Sequence, residues 1–246
     1  MADNQVAIVT GAAGGMGQAI VARLVADGFK VAAVDINESA LRTVVTEVGD
    51  GTVGFTCDMT DEKAVRETVA RIERTLGPTH ALVNCIGWVG TTRFIQEDSA
   101  YWRKIIAINM ESILYATHAV LPGMIERLKG KIVNISSDAG RIGTSGEAVY
   151  AAMKAGVIAF GKSIARENAR YNINVNAIAP GPTETPLLKA EMEEDPELVK
   201  RMLRLIPFRR PGKPDDMAAA VSFFCSPDSD YITGQTLSVS GGLTML

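Results

Sequence analysis

The sequence is poor in the side chains that hydrolases and zinc enzymes most often use. Its 246 residues include only two histidines and three cysteines. Neither His80 nor His118 belongs to an HExxH pattern and no CxxC pair occurs, which argues against a metal site and against a Ser–His–Asp triad. The three cysteines, Cys57, Cys85 and Cys225, lie far apart in apolar stretches and are expected to be reduced and structural.

An excess of one charge is also lacking. The formal net charge is −3, which gives no electrostatic reason to expect nucleic acid or an anionic membrane as partner. The first residues, MADNQVAIVTG, lack a basic segment followed by a long apolar one, so no secretory signal is predicted. No uninterrupted run of about eighteen apolar residues occurs, so no membrane-spanning helix is predicted and a cytoplasmic protein is expected.

Short apolar runs alternate with longer helical patterns along the chain. The predicted strands are residues 5–10, 30–35, 51–56, 80–84, 130–136, 172–178 and 235–240. The predicted helices are residues 15–28, 38–48, 61–76, 99–128, 148–170, 189–204 and 214–226. Strands that are apolar on both faces and separated by helices indicate a parallel sheet covered on both sides. The prediction is an α/β protein, a doubly wound Rossmann-type fold with seven parallel strands.

No linker, repeat or low-complexity segment interrupts this alternation, so residues 1–246 are predicted to form one domain. The alternation weakens between Pro180 and Pro214, where prolines and the acidic run EMEEDPE occur. The acidic run is expected to be a solvated helix face. Because residues 183–213 follow a predicted strand end, they are expected to form a mobile lid over a substrate.

A glycine-rich turn, TGAAGGMGQAI, follows the first predicted strand and contains Gly11, Gly15 and Gly17. Glycines there allow a tight turn and let the backbone approach a diphosphate at a helix N-terminus. The spacing differs from GxGxxG, but the context fits, with a strand before, a helix after and a second strand that ends in an acid. The turn therefore predicts dinucleotide binding.

That acid, Asp35, indicates which dinucleotide is bound. A carboxylate at the end of the second strand accepts hydrogen bonds from the ribose hydroxyls of NAD and repels the extra phosphate of NADP. No Lys or Arg occurs among Ala12, Ala13, Ile36 and Asn37 to attract that phosphate. NAD is the predicted cofactor. The alternative is that Asp35 only caps the following helix.

Tyr150 and Lys154 are four residues apart in a stretch predicted to be helical from about residue 148, so they share a helix face. An ammonium near a phenol favours the phenolate, which lowers a pKa that is ordinarily about 10. Tyr150 is therefore a candidate proton acceptor. The alternative is a chance pair.

Together these residues resemble the short-chain dehydrogenase/reductase family, in its compact type. The resemblance covers nearly the whole chain, and its parts are the glycine turn, Asp58, Asn84 with Gly87, Asn109, Ser137, Tyr150 with Lys154, and Pro180 with Gly181. It implies that Tyr150 is the general acid/base and that Ser137 holds the substrate oxygen. It also implies that Lys154 lowers the pKa of Tyr150 and binds the nicotinamide ribose, and that Asn109 positions a water linking Lys154 to solvent.

The resemblance also implies a set of cofactor contacts. They are Gly11, Gly15, Met16, Gly17, Asp35, Ile36, Asp58, Met59, Asn84, Gly87, Tyr150, Lys154, Pro180, Gly181, Thr183 and Thr185. Asp58 and Asn84 are expected on the adenosine side. Thr185 is expected to contact the carboxamide, with Thr183 as a competitor for that role.

One departure from the family pattern is the segment NCIG, where the family often has Asn-Asn-Ala-Gly. Cys85 and Ile86 in that segment are expected to alter packing and not chemistry. A redox role for Cys85 is left as an alternative.

Within the family, segments such as APGPTETPLL resemble 2-hydroxycyclohexanecarboxyl-CoA dehydrogenase and the related alicyclic and 1-arylethanol dehydrogenases of anaerobic aromatic degradation. This implies NAD-dependent oxidation of a secondary alcohol on or beside a six-membered ring to the ketone. One alternative is a 3-oxoacyl thioester reductase, which usually runs on NADPH. An alternative of another class is a catalytically inactive NAD-binding regulator.

The expected substrate pocket is apolar. Its candidate residues are Trp88, Val89, Ile142, Glu147, Leu187 and Leu188. Glu147 either reaches the mouth of the pocket or lies on the surface early in its helix. The resemblance also implies self-association as a homotetramer, through the long helices at 99–128 and 148–170 and the C-terminal segment.

Overall fold

Seven parallel strands form one sheet. The structure is a computed structural model that describes residues 4–186, 188, 193 and 196–246. The strands are β1 Val6–Thr10, β2 Lys30–Asp35, β3 Thr52–Thr56, β4 Thr79–Asn84, β5 Gly130–Ile135, β6 Ile173–Pro180 and β7 Thr236–Val239. Their order is β3-β2-β1-β4-β5-β6-β7, with every neighbouring pair parallel. The predicted fold class and strand number are confirmed.

Helices cover both faces of the sheet. They are α1 Gly15–Ala26, α2 Glu38–Val48, α3 Glu62–Leu76, α4 Ser99–Ile106, α5 Ser112–Glu126, α6 Ala139–Ile142, α7 Ala148–Asn168, α8 Pro196–Leu205 and α9 Pro214–Cys225. The residues of β1 are apolar on both faces of the sheet because each face packs into a separate core. Ala7 and Val9 pack into the core beneath α1 and α9, and Val6 and Ile8 pack into the core beneath α3 and α5.

The predicted helix at 99–128 is divided by a wider turn. Residues Ala107–Glu111 form a π-helical turn between α4 and α5, and the fully buried Asn109 lies in it. Sequence periodicity does not show such a turn, because one wide turn shifts the apolar pattern only slightly. Helix α6 and the 3-10 turns at 94–96, 169–171 and 227–229 are likewise absent from the prediction. Of the predicted helix at 189–204, residues 189–192, 194 and 195 lie outside the described residues.

Among the described residues, two helical stretches have the length and mean hydropathy that a membrane-spanning helix needs. They are Ser99–Glu126, with 28 residues, and Ala148–Tyr171, with 24 residues. Neither stretch is an uninterrupted apolar run, because polar residues are interspersed in both. Both stretches belong to the layers of the fold, since α5 packs on β4 and β5 and α7 packs on β6.

The two ends of the segment predicted as a lid are hydrogen-bonded to each other. Beyond β6, Thr183 forms a parallel bridge with Gly212. The amide of Glu184 donates to the Gly212 oxygen at 2.8 Å, and the Gly212 amide donates to the Pro182 oxygen at 2.9 Å. These bonds hold the two ends of the segment, at Thr183 and Gly212, beside each other after β6. Its function as a lid stays a prediction.

Candidate active site

A cleft of about 670 Å³ opens at the carboxyl edge of the sheet, where the strand order reverses between β1 and β4. This reversal is where open α/β sheets bind ligands. The cleft is lined by Gly11, Gly14, Gly15, Met16, Gly17, Asp35, Ile36, Asp58, Met59, Thr60, Cys85, Ile86, Gly87, Lys104, Ala107, Ile108, Thr185 and Pro186. The glycine turn, the end of β2 and the segment after β4 therefore meet in one cavity.

The glycine turn is built so that the start of α1 faces the cleft. Gly11 has φ +65°, and a Cβ there would lie 2.9 Å from the Cα of Ile86. A Cβ on Gly17 would lie 2.1 Å from the Gly11 oxygen, so only glycine fits. Gly14 precedes the helix and supplies no side-chain cap, which leaves the first amides of α1 available to an anion. This cradle fits the diphosphate of a dinucleotide.

Asp35 is fixed at the rim of the cleft. Its Oδ2 accepts from the Ala13 amide and its Oδ1 accepts from the Asn37 amide, each at 3.0 Å. The alternative that Asp35 caps the next helix is wrong, because the Asn37 side chain caps α2 by accepting from the Ala40 amide at 3.1 Å. Each carboxylate oxygen of Asp35 keeps a lone pair, so the residue suits the ribose hydroxyls of NAD.

Ser137, Tyr150 and Lys154 come together where β5 ends and α7 begins. The Ser137 hydroxyl lies close enough to the Tyr150 phenol to lower the pKa of that phenol. The Lys154 ammonium lies 5.6 Å from the Tyr150 ring centroid and donates to the Ile135 oxygen at 3.0 Å. The Ser136 hydroxyl donates to the Lys154 oxygen at 2.8 Å, which ties the loop that carries Ser137 to the helix that carries Tyr150.

Burial dominates the protonation of this cluster. It raises the pKa of Tyr150 to about 12; the Ser137 hydroxyl lowers this pKa and Glu147 raises it. Burial lowers the pKa of Lys154 to about 8, against a smaller opposing effect of Cys85. Burial, Ser137 and Glu147 set the pKa of Tyr150 here, and the expectation that Lys154 lowers this pKa stays a prediction. At neutral pH Tyr150 is a proton donor.

Asn109 clamps the segment that follows β4. Its Oδ1 accepts from the Trp88 amide at 3.2 Å, and its Nδ2 donates to the oxygens of Trp88 and Ile105 at 2.8 and 3.0 Å. A Cβ on Gly87 would lie 3.2 Å from the Lys154 ammonium and 3.3 Å from the Asn109 oxygen, so glycine keeps the space between them open. The water link between Lys154 and solvent stays a prediction.

Several expected cofactor contacts lie beneath the cleft. Asn84 has no exposed surface, and its Nδ2 donates to the Asn134 oxygen at 2.8 Å on the neighbouring strand. The prediction that Asn84 lines the adenosine side is wrong for its side chain, because that side chain is buried and hydrogen-bonds β4 to β5. Thr183 is buried with its hydroxyl donating to the Gly181 oxygen at 2.9 Å, whereas Thr185 lines the cleft.

Pro180 and Gly181 also lie outside the lining of the cleft. Pro180 is buried at the end of β6, and a Cβ on Gly181 would lie 2.8 Å from the Cβ of Ser240. Gly181 thus permits close packing against the segment after β7. Asp58 and Met59 line the cleft as expected, and Asp58 accepts at 2.9 Å from the Thr60 amide.

The candidate substrate residues are dispersed. Trp88 follows the cleft-lining Gly87, and Val89 is partly exposed. Ile142, in α6, is 56% exposed, and Glu147 precedes α7. Leu188 is 6% exposed, so the prediction that it walls a pocket is wrong, since its side chain offers a substrate little surface. Leu187 lies outside the described residues. A shared pocket for the others stays a prediction.

Sequence reasoning missed part of the α4 wall. Lys104, Ala107 and Ile108, which precede Asn109, line the cleft. Ala107 and Ile108 follow Lys104 by three and four residues, which is the spacing of one helix face. Cys85 and Ile86 also line the cleft, and burial raises the pKa of the Cys85 thiol to about 12. A protonated thiol argues against the redox role considered above.

The comparisons with known proteins agree with this geometry. A family profile described as Enoyl-(Acyl carrier protein) reductase matches residues 11–244. The chain is 37% identical over 244 residues to 3-oxoacyl-[acyl-carrier-protein] reductase FabG of Vibrio cholerae, covering 99% of each chain. It is 37% identical over 250 residues to acetoacetyl-CoA reductase of Acinetobacter sp., covering 100% of each. The solved structure of gox2181 is similar with a TM-score of 0.95 and 32% identity, covering 98% of this chain and 96% of that one.

The glycine turn supplies a test of the cofactor cradle. We expect Gly17→Ala to weaken NADH binding at least about tenfold, a loss of about 1.4 kcal/mol, because its Cβ collides with the Gly11 oxygen. Gly156→Ala, on α7 and outside the lining of the cleft, is the control, since its Cβ would lie 3.9 Å from the nearest atoms, those of Met110. Fluorescence titration gives the two affinities and thermal unfolding checks the fold. Equal affinities in the two variants would contradict the assignment.

The phenol of Tyr150 supplies a test of acid catalysis. We expect Tyr150→Phe to lower kcat by about 10²–10⁴-fold with little change in NADH affinity, because only the hydroxyl is lost. Tyr171→Phe, in the 3-10 turn after α7, is the control. Steady-state kinetics and an NADH titration measure both quantities. Turnover near that of the wild type in Tyr150→Phe would rule out the assigned role.

The pKa of Lys154 predicts how the rate of carbonyl reduction depends on pH. As pH rises through about 8, Lys154 loses its proton while Tyr150, with a pKa of about 12, keeps its own. The cation that stabilises negative charge on the reacting oxygens is then lost, so kcat is expected to fall. The measurement is kcat from neutral to alkaline pH, with Lys162→Arg on the exposed side of α7 as control. A profile that stays flat through pH 8 would contradict the role of the ammonium.

Proposed function

The chain belongs to the short-chain dehydrogenase/reductase family, and on this premise we propose that it reduces a 3-oxoacyl thioester to the 3-hydroxyacyl thioester with a nicotinamide cofactor. It is an oxidoreductase of that family along nearly its whole length. Two of its relatives are named for reduction of a 3-oxoacyl thioester, one on acyl carrier protein and one on CoA. These names favour the reductase, which the sequence left as an alternative, over oxidation of a ring-bearing alcohol.

One observation carries the proposal. Tyr150 lies beside Ser137 at the end of β5, and burial holds its pKa above the ordinary value, in a chain 37% identical over 244 residues to a 3-oxoacyl reductase. A protonated phenol beside a hydroxyl donor can deliver a proton to a carbonyl oxygen. The names of the relatives favour that direction over oxidation of an alcohol.

The residues of the chain account for the reaction as follows. Ser137 donates a hydrogen bond to the 3-oxo oxygen and orients it. When bound, the reduced nicotinamide supplies the hydride that the carbonyl carbon accepts. Tyr150 Oη gives its proton to that oxygen, which becomes the hydroxyl of the product. The buried Lys154 ammonium stabilises the phenolate that remains until solvent returns a proton.

We further propose NADH as the electron donor. Asp35 presents a fixed carboxylate at the rim of the cleft, and Ile36 beside it is 63% exposed and uncharged. A carboxylate there accepts from ribose hydroxyls and repels a 2′-phosphate. This proposal departs from the NADPH that 3-oxoacyl reductases usually take.

A second candidate is NAD-dependent oxidation of a secondary alcohol, in the sense first expected from the sequence. The observation that favours it is Asp35, because it selects the cofactor of oxidative dehydrogenases over that of biosynthetic reductases. The same Ser137, Tyr150 and Lys154 serve the reverse reaction. The names of the relatives make it the weaker candidate. An inactive NAD-binding regulator fits less well, because these side chains are brought together intact.

We propose that the protein is a cytoplasmic homotetramer that acts on a small-molecule substrate and needs neither nucleic acid nor a membrane. An apolar groove of about 360 Å³ between α3, α5 and α7 supports self-association. It is lined in part by Leu114, Tyr115, Leu121, Phe160 and Ile164. Burying such a surface between copies is favourable. A monomer by light scattering would contradict the homotetramer. Recovery of the protein with membranes after cell fractionation would contradict the cytoplasmic location.

The deciding experiment compares substrates under matched conditions. Initial rates are measured for acetoacetyl-CoA with NADH or NADPH. For comparison, they are measured for cyclohexanol, both enantiomers of a 1-arylethanol and 2-hydroxycyclohexanecarboxyl-CoA with NAD. We expect the largest kcat/KM for acetoacetyl-CoA with NADH. A larger value for any of the alcohols would establish the second candidate, and turnover of none would revive the regulator.

The cofactor preference has its own variant. We expect Asp35→Ala to raise relative use of NADPH over NADH by about tenfold or more, because a repulsion between two negative charges is removed. Asp50→Ala, in the turn between α2 and β3, removes one carboxylate away from the cleft and serves as control. The ratio of kcat/KM for the two cofactors is the measurement. An unchanged ratio in Asp35→Ala would remove the basis for preferring NADH.

A further inference from the structure

One cationic side chain lines the cleft within the described residues. The titratable carboxylates of the lining are Asp35 and Asp58, and the cation is Lys104 on α4. Lys154 is 2% exposed, and its ammonium is committed to the Ile135 oxygen. The cleft thus combines acidic groups at its adenosine end with a single ammonium on the α4 wall.

The Lys104 ammonium is held over the Trp88 ring. It lies 3.6 Å from the centroid of that ring, which is the geometry of a cation–π contact. The Trp88 backbone is clamped by Asn109, and its ring meets Tyr101 edge-on at 5.7 Å. The Tyr101 hydroxyl donates to the Gly90 oxygen at 2.5 Å. The Trp88 ring is therefore fixed by Asn109 and Tyr101, and the lysine that it holds lines the cleft.

The nearby acids are engaged elsewhere. Glu97 accepts from the Trp102 indole at 2.7 Å, and Asp98 caps α4 by accepting from the Tyr101 amide at 2.8 Å. Within the part of the chain that the structure describes, no carboxylate lies within 4.0 Å of the Lys104 ammonium. An aromatic face offers an ammonium no hydrogen-bond acceptor of the strength of an anion. Lys104 therefore keeps donors for a ligand.

We propose that Lys104, whose ammonium lies over the Trp88 ring, binds a phosphate group of a ligand in this cleft. The inference rests on the proposed function, because a nicotinamide dinucleotide carries a diphosphate and a CoA or acyl-carrier thioester carries a phosphate on its pantetheine arm. The uncapped start of α1 is the other positive element of the cleft. A helix N-terminus on one wall and an ammonium on the other form a pair that suits a phosphate.

The test measures binding and does not depend on turnover. Lys104→Gln removes the charge at similar size, and Lys104→Arg keeps it. Lys63→Gln is the matched control, since that side chain is 79% exposed on α3 outside the cleft. Dissociation constants are measured by calorimetry for NADH, and for CoA and phosphate-free pantetheine on the NADH-loaded protein, at low and high salt.

We expect Lys104→Gln to weaken a phosphate-bearing ligand roughly tenfold at low salt, with the loss smaller at high salt and largely restored in Lys104→Arg. Weaker NADH binding identifies the cofactor diphosphate as the group bound. Weaker CoA binding with pantetheine unchanged identifies the phosphate of the carrier. If Lys104→Gln matches Lys63→Gln for both NADH and CoA, the proposal is overturned.

The outcome is separate from that of the proposed function. Failure of the wild-type protein to reduce acetoacetyl-CoA would disprove the reductase, while the dissociation constants would still decide the role of Lys104. If the wild type binds no CoA, the NADH titration alone decides it.

Discussion

The burial of one ammonium organises the reactive end of the molecule. Lys154 is 2% exposed and donates to the Ile135 oxygen at 3.0 Å, so α7 is anchored to the last residue of β5. That anchor brings Tyr150, one turn earlier, beside Ser137, which follows β5. It also requires Gly87, because a side chain there would fall 3.2 Å from the ammonium. Because the charged form is desolvated, the pKa of Lys154 falls to about 8.

The same burial governs the chemistry that the site favours. Desolvation raises the pKa of Tyr150 further than the Ser137 hydroxyl lowers it, so the phenol holds its proton at neutral pH. A proton donor beside an ammonium is arranged for a carbonyl oxygen that gains negative charge. This agrees with relatives that are named as reductases. Asp35, which lines the cleft at the end of β2, is the basis for proposing NADH as the donor.

Much of the fold is predictable from sequence because its signals are local. β1 alternates between two apolar cores, so its residues are apolar on both faces, and the observed strand 6–10 agrees with the predicted 5–10. The glycine turn and Asp35 are likewise evident from the sequence. A tight turn that accepts only glycine and an acid at the end of a strand both depend on residues that are neighbours along the chain. The π-helical turn at 107–111, in which Asn109 bonds to Trp88, is not evident from the pattern of apolar residues around it.

The sequence by itself determined the order of strands and helices, the glycine cradle, the acid at the end of β2, and the pairing of Tyr150 with Lys154 on one helix face. Each follows from spacing along the chain. Only the tertiary structure decided that Asn84 is a buried tie, that Thr185 and not Thr183 lines the cleft, and that Lys104 lies over Trp88. It also decided the protonation of Tyr150, because a pKa depends on how much water and charge the folded chain leaves around a group, and spacing along the chain does not contain that information.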